Sequence, residues 1–334
     1  MQIFLFLLWP LRVLLSLFYR AVMSLRNCYY DLGHGIHKVS CEVISVGNLT
    51  VGGTGKTPYV IHLIKQLQAE GKKVAILSRG YKGHKSSTQY CVSDGENIFM
   101  TVEEAGDEPF MMAKALPGVP IYVDSDRVTI AKMACDEHAV NVCILDDGFQ
   151  HRRLHRDKDI VLWDATQDFV TAHILPWGYL RESKKGLRRA NQVILTKIDL
   201  ATVQDRQRNE DALQSYIKGE PLQKVSYRAV SWTRHPDGKV LDLDALRGNA
   251  YVVVCGLAQP QGFLRQLDML GTVIVKEYLC SDHHLFSTKD ISQIALLVQE
   301  VNAKGVICTA KDAVRLPREI PFSVYILDIE LVVV

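Results

Sequence analysis

The chain has no C-x-x-C pair, and its eight cysteines stand singly at positions 28, 41, 91, 135, 143, 255, 280 and 308. That excludes a zinc ribbon and suits reduced thiols in a cytosol better than a disulfide framework. It has almost no charge excess: Lys+Arg 39 against Asp+Glu 37 leaves +2, so no overall field draws it to nucleic acid. It has no internal repeat and no low-complexity tract, and 48% hydrophobic with 23% charged residues excludes disorder. A secretory leader is not expected, because no basic n-region or small-residue cleavage site opens the sequence. What remains is a globular chain of 334 residues, with room for two domains.

Apolar residues are unevenly placed. Nineteen of residues 1–25 are apolar, yet Arg12 and Arg20 interrupt the run, which argues against a spanning helix of about 20 apolar residues. After Pro10 the polar residues Arg12, Ser16, Arg20 and Ser24 recur every fourth position. On a helix they form one narrow stripe and leave a wide apolar face. Pro10 suits the first turn of such a helix. The spacing predicts a helix over 1–26 that lies in the membrane interface, with a core helix solvated along one edge as the alternative. Arg20, Arg26 and Lys38 would keep the rest of the chain cytoplasmic.

Beyond Gly35 the pattern alternates. Glu42–Val46, Val74–Leu77, Val119–Val123, Val140–Leu145, Ile160–Trp163 and Gln192–Leu195 read as strands. Val60, Leu63, Ile64 and Leu67 mark a helix face, and Glu103–Leu116 and Thr129–Glu137 read as helical. Such alternation argues for a parallel sheet covered on both faces. Residues 203–222 read as a looser, polar stretch, after which a second α/β series runs to the end. A boundary near 222 separates a domain over 27–222 from a smaller one over 223–334.

Between the first strand and helix lies Gly47-Asn48-Leu49-Thr50-Val51-Gly52-Gly53-Thr54-Gly55-Lys56-Thr57-Pro58. Glycines there let backbone N–H groups approach phosphate oxygens. Lys56 can reach the β/γ-phosphates and the Thr57 hydroxyl can bind Mg²⁺. Thr50 occupies the place of the first glycine of the usual pattern. Residues 50–57 are thus the expected ATP site. Asp146 and Asp147, ending the strand Val142–Leu145, supply the acid a P-loop enzyme uses at its metal.

Phosphoryl transfer to a hydroxyl also wants a base, and Asp107, Glu108, His283 and His284 are candidates that spacing cannot separate. Cations for an anionic substrate could come from His151-Arg152-Arg153 with Arg156, from Lys184-Lys185 with Arg188-Arg189, or from Arg79, Arg127 and Arg181 singly.

These residues resemble the tetraacyldisaccharide 4′-kinases of lipid A biosynthesis. The resemblance runs from the phosphate loop through Ser78-Arg79-Gly80-Tyr81, Gly106-Asp107-Glu108-Pro109, Asp126-Arg127 and Leu145-Asp146-Asp147-Gly148-Phe149-Gln150-His151. It continues through Leu180-Arg181-Glu182, Asp282-His283-His284 and Lys311-Asp312-Ala313. Departures are Cys280-Ser281, Trp177-Gly178-Tyr179 and Ala310, where the family more often has other residues.

The resemblance implies a P-loop NTPase-type, mostly parallel α/β domain and a smaller α/β domain closing on an active-site cleft, with a membrane-associated N-terminal helix. It implies transfer of the ATP γ-phosphate, with Mg²⁺, to the 4′-hydroxyl of a tetraacyldisaccharide 1-phosphate. The expected location is the cytoplasmic face of the inner membrane of a Gram-negative bacterium. The expected partners are the lipid precursor and the bilayer, without nucleic acid or an obligate protein partner. Catalytic roles carry onto Asp107 as base, His283 as its partner and Lys56. Metal binding falls to Thr57 with Asp146 and Asp147, and substrate contact to Asn48, Arg79, Arg127, Arg181 and Glu182. The rival reading is a membrane-associated P-loop switch ATPase or GTPase without acceptor chemistry, to which Thr196-Lys197-Ile198-Asp199 lends a guanine-reading look.

Overall fold

The computed structural model describes residues 9–80, 90–257, 260–282, 284–317 and 319–334, with side chains from Arg12 onward. Expectations for residues 1–8, for Tyr81 and for His283 lie outside these residues.

In chain order the elements are α1 (Trp9–Asp31), β1 (Glu42–Asn48), α2 (Lys56–Ala69), β2 (Val74–Ser78), β3 (Cys91–Ser93), α3 (Val102–Ala105) and α4 (Asp107–Ala115). Next come β4 (Ile121–Val123), α5 (Arg127–His138), β5 (Val142–Asp146), β6 (Lys158–Asp164), β7 (Gln192–Thr196), α6 (Val203–Gln214) and β8 (Gln223–His235). The last are β9 (Lys239–Leu241), β10 (Ala250–Cys255), α7 (Gln261–Met269), β11 (Val273–Leu279), α8 (Thr288–Glu300), β12 (Val306–Cys308), α9 (Ala310–Ala313) and β13 (Val324–Val333).

All strands join one sheet, ordered β11-β10-β12-β13-β8-β7-β6-β1-β5-β2-β4-β3, with β9 on the flank of β8. From β4 to β8 neighbouring pairs are parallel, and β3 closes that edge antiparallel. The apolar run of β1 follows from burial on both faces. Ile44 and Val46 enter a core shared with Tyr59, Val60 and Ile64 of α2. Val43 points into the opposite core, shared with Val128, Ile130 and Ala134 of α5. A third core under β6 and β7 gathers Leu49, Phe149, Trp163 and Phe169.

β8 joins the two halves of the sheet. Its first residues pair parallel with β7, Gln223 opposite Ile194, and the rest runs antiparallel to β13, from Val225 opposite Val333 to His235 opposite Val324. Beyond β13 the strands β12, β10 and β11 are again parallel and form the second half.

β3 and β8 are not among the strands expected from the sequence, α1 runs on to Asp31, and two further segments differ. Residues 203–214 form a helix, capped by the Thr202 hydroxyl, that buries only Asn209 and Leu213. So few inward residues leave almost no apolar period to detect. The helix expected over 103–116 is broken at Gly106, whose φ of 84° no β-carbon tolerates easily, and this makes Asp107 the first residue of a new helix.

α1 docks through one face. Ser16 Oγ donates to the Ile174 carbonyl (2.9 Å), Tyr19 Oη to that of Arg181 (2.8 Å), and Arg26 to that of Gln150 (2.6 Å). Arg152 reaches back to the Asn27 carbonyl and to Asp31. The opposite face carries Leu14, Phe18, Val22, Leu25 and Tyr29 at helical spacing, all exposed, Leu25 by 73%. No described helix is long and apolar enough to cross a membrane.

Candidate active site

β1 ends against Phe149, and a β-carbon on Gly47 would lie 2.6 Å from the Phe149 Cβ, so only glycine lets the strand pass there. The chain then turns through residues 49–55 into α2, entered through Gly55 at φ 81°. A β-carbon on Gly55 would lie 2.0 Å from Tyr227 Oη.

The loop is tied from behind. Lys197 Nζ donates to the Gly53 carbonyl (2.8 Å), Thr196 Oγ1 to that of Thr54 (2.9 Å), and Tyr227 Oη to that of Gly55 (3.0 Å). A trans peptide sets N–H opposite C=O. Tying these three carbonyls to the protein leaves the N–H groups of Thr54, Gly55 and Lys56 directed away from those bonds, in a loop that lines a cleft. The result is an anion cradle at a helix N-terminus.

That cleft encloses about 2230 Å³. β5 ends in its wall, where Asp146 is buried and accepts a hydrogen bond from Ser78 Oγ at 3.1 Å on Oδ2. Among the described residues its Oδ1 has no hydrogen-bond partner. Burial, then the nearby carboxylates of Glu108 and Asp147, raise the Asp146 pKa. Asp147, at φ 49°, instead holds two cations, with Oδ1 3.4 Å from Lys56 Nζ and Oδ2 2.7 Å from Arg181 Nη1. Burial works against its charge, but Lys56 and Arg181 outweigh it and hold its pKa below the usual value. Asp147 Oδ1 also lacks a hydrogen bond but has the Lys56 ammonium beside it, whereas among the described residues the open oxygen of Asp146 has no such cation in contact and could take a hard divalent cation.

The facing wall comes from the second half of the sheet. Arg315, just past α9, forms a buried bidentate pair with Asp107 at the start of α4: Nε donates to Oδ1 at 2.6 Å and Nη2 to Oδ2. The Arg315 side chain is wholly buried. Asp312 receives the Gly256 N–H (3.0 Å) and the Thr309 hydroxyl (2.6 Å), while Lys311 donates to Asp282 at 2.8 Å.

Lys56, Thr57, Arg79, Asp107, Glu108, Arg127, Asp146, Asp147 and Arg181 all line this cleft, as do Val51 to Gly55. Arg127 is almost buried, beside Arg79 and the two aspartates, and among the described residues its Nε has no hydrogen-bond partner. Asn48, Thr50 and Glu182 do not reach the cleft surface. The Asn48 amide donates to Thr50 (3.2 Å) and Thr54 (3.0 Å) beneath the loop. Glu182 binds Arg189, Gln150 and Asn27 behind Arg181. These three support the site from below.

Other candidates serve the fold. His284 faces Asp290, the capping residue of α8, at 3.3 Å. Arg152, Arg153 and Arg156 pair with Asp31, Asp126 and Asp159, and Lys184 donates to the Val170 carbonyl. Lys197 is held between Gly53 and Asp164 (2.6 Å), so the Thr196–Asp199 element braces the phosphate loop, with Lys197 and Asp199 also lining the cleft. The reading of the sequence missed Tyr227 and Arg315 as site residues and gave Thr196 and Lys197 only to the rival switch reading.

The tetraacyldisaccharide-1-P 4′-kinase family matches residues 5–333. Tetraacyldisaccharide 4′-kinases of Syntrophus aciditrophicus and Bdellovibrio bacteriovorus are each 37% identical, over 309 and 303 residues. Each alignment covers 90% of this chain, with 82% and 88% of the respective relative. The crystal structure of the "apo" form of LpxK from Aquifex aeolicus in complex with ATP superposes with a TM-score of 0.78. It is 32% identical, and the match covers 98% of this chain and 94% of that one.

Proposed function

The chain belongs to the tetraacyldisaccharide-1-P 4′-kinase family, phosphorylating the 4′-hydroxyl of a lipid A precursor with ATP, and from that premise we propose how its residues divide the work. The carrying observation is that the loop tied by Lys197, Thr196 and Tyr227, the orphaned oxygen of Asp146 and the carboxylate of Asp107 share one cleft.

Residues 51–57 take the ATP phosphates, with Thr50 buried beneath them, Thr54, Gly55 and Lys56 presenting N–H groups and Lys56 its charge to the transferring group. Thr57 and Asp146 would hold Mg²⁺, which when bound neutralises charge on the phosphates. Asp147 then orders Lys56 and Arg181 between them. Asp107 takes the proton of the 4′-hydroxyl as its oxygen bonds to the γ-phosphorus, and the bond from that phosphorus to the bridging oxygen breaks to release ADP. Arg315 keeps Asp107 ionised and oriented. His283, carried from its motif alone, is proposed as the partner of Asp107. Arg79, Arg127 and Arg181 face the anionic groups of the sugar lipid, while Asn48 supports the phosphate loop and Glu182 holds Gln150 and Arg189 beneath the site.

We further propose domains over 27–222 and 223–334, supported by β8 as the strand pairing with both halves. The exposed apolar face of α1 supports contact of residues 1–26 with the bilayer, on the cytoplasmic side of the inner membrane. Tyr19, Met23 and Arg26 on the docked side also line the cleft, so a lipid could pass from bilayer to site along this helix.

Transfer of label from γ-labelled ATP to tetraacyldisaccharide 1-phosphate in detergent micelles tests the scheme. Metal-dependent label in the lipid is expected, lost in Lys56→Ala. Label appearing only as free phosphate would return the switch-ATPase reading.

A further inference from the structure

Three cysteines far apart in sequence meet at the end of the sheet opposite the phosphate loop. Cys143 lies in β5 opposite Val43 of β1. Cys41 immediately precedes β1, and Cys135 sits in the last turns of α5. All three border the core between this face of the sheet and α5. Cys41 Sγ is 3.4 Å from Cys143 Sγ and 2.9 Å from Cys135 Sγ, and all three sulfurs lie within 4.8 Å of one another. Non-bonded heavy atoms usually rest ~3.5–4.0 Å apart, so the cluster is tighter than ordinary packing asks.

We propose that Cys41, Cys135 and Cys143 form a binding site for a thiophilic d¹⁰ metal ion, of the Zn²⁺ or Cu⁺ class. Thiolates are the ligands such ions select. Metal–sulfur bonds of about 2.3 Å in a trigonal arrangement need sulfurs about 4.0 Å apart, which small rotamer changes supply from the present triangle. A disulfide would use two of the three sulfurs and leave the third without a role. Cys143 is fully buried, while Cys41 and Cys135 are partly exposed and give the ion a path in. On binding, three thiols lose three protons to solvent and three metal–sulfur bonds form, with no change of oxidation state.

The test uses the full chain, reduced and stripped with a chelator, titrated with cadmium alone and read by sulfur-to-cadmium charge-transfer absorbance. Saturation at one ion per chain is expected, with the two partly exposed thiols, Cys41 and Cys135, newly shielded from a thiol reagent. Cys41→Ser and Cys135→Ser, both at the partly exposed edge, should each weaken uptake by about 10–100-fold or more. Cys28→Ser, on α1, should leave it unchanged. Because Cys143→Ser puts a hydroxyl in the core, the two edge variants decide. Three outcomes overturn the proposal: no charge-transfer band, uptake equal in Cys41→Ser, or oxidation of Cys41 with Cys135 to a disulfide in a chain that takes up no cadmium after re-reduction.

Discussion

Replacing Arg315 by methionine removes the only charge of that side chain and keeps much of its bulk. The bidentate contact, with Nε 2.6 Å from Asp107 Oδ1, places the charge centres about 4 Å apart, where unit charges attract by about 4 kcal/mol at an effective dielectric near 20. At 1.36 kcal/mol per pKa unit that is an upper bound near three units, and opposite charges at such range shift carboxylates by about 1–3. The guanidinium stabilises ionised Asp107, so its loss raises the carboxyl pKa, and burial pushes the same way. A base works only above its pKa. The acid limb of kcat for label transfer to the lipid in micelles should therefore move to higher pH by about 1–3 units, with activity recovering at alkaline pH. Arg315→Lys keeps the charge without the fork and should move it less. A kcat that falls equally at every pH, with the acid limb in place, would show that Arg315 holds the fold rather than the protonation state of Asp107. An unchanged profile would remove Asp107 from the role of base.

Asp146, its pKa raised to about 7, binds a proton below that pH in competition with metal. Mg²⁺ affinity by calorimetry should fall about tenfold for each pH unit below 7 and flatten above it, and Asp146→Asn should abolish the slope. Gly47→Ala drives a methyl to within 2.6 Å of Phe149, so thermal unfolding should report a loss of about 1–3 kcal/mol or more, whereas Gly53→Ala, with nothing within 4 Å, should leave Tm in place. Phe18→Glu with Leu25→Glu puts two charges on the exposed face of α1. Binding to phospholipid vesicles should drop at least about tenfold while ATP binding holds, and unchanged sedimentation with vesicles would refute membrane contact by that face.

The parts of the site legible in the sequence are those whose physics is local. Glycines at 52, 53 and 55 between an apolar run and a helix face declare a phosphate loop because only adjacent residues are needed to build one. Asp146-Asp147 is legible for the same reason, as acids ending a buried strand. What holds these pieces is not local. Thr196 and Lys197 back the loop from about 140 positions away, and in the sequence Lys197 with Asp199 looks like an ordinary strand end. Arg315 lies 208 residues from Asp107, and no spacing could have joined them.

The same distinction explains Asp107 itself. Read along the chain, 103–116 is one amphipathic helix with an aspartate inside it, an unfavourable place for that side chain. Gly106, at φ 84°, ends one helix and starts the next, so that Asp107 sits at a helix N-terminus where the dipole favours its charge. That arrangement and the Arg315 guanidinium both favour the carboxylate of the nearly buried Asp107. A glycine that looks like an interruption is thus the residue that makes the neighbouring acid available. Gly106→Ala, forced into that left-handed conformation or out of it, should therefore lower kcat through the position of Asp107. With ATP binding by the phosphate loop intact, label transfer is the readout that should fall, and a Gly106→Ala enzyme with normal kcat would refute this account of how Asp107 is placed.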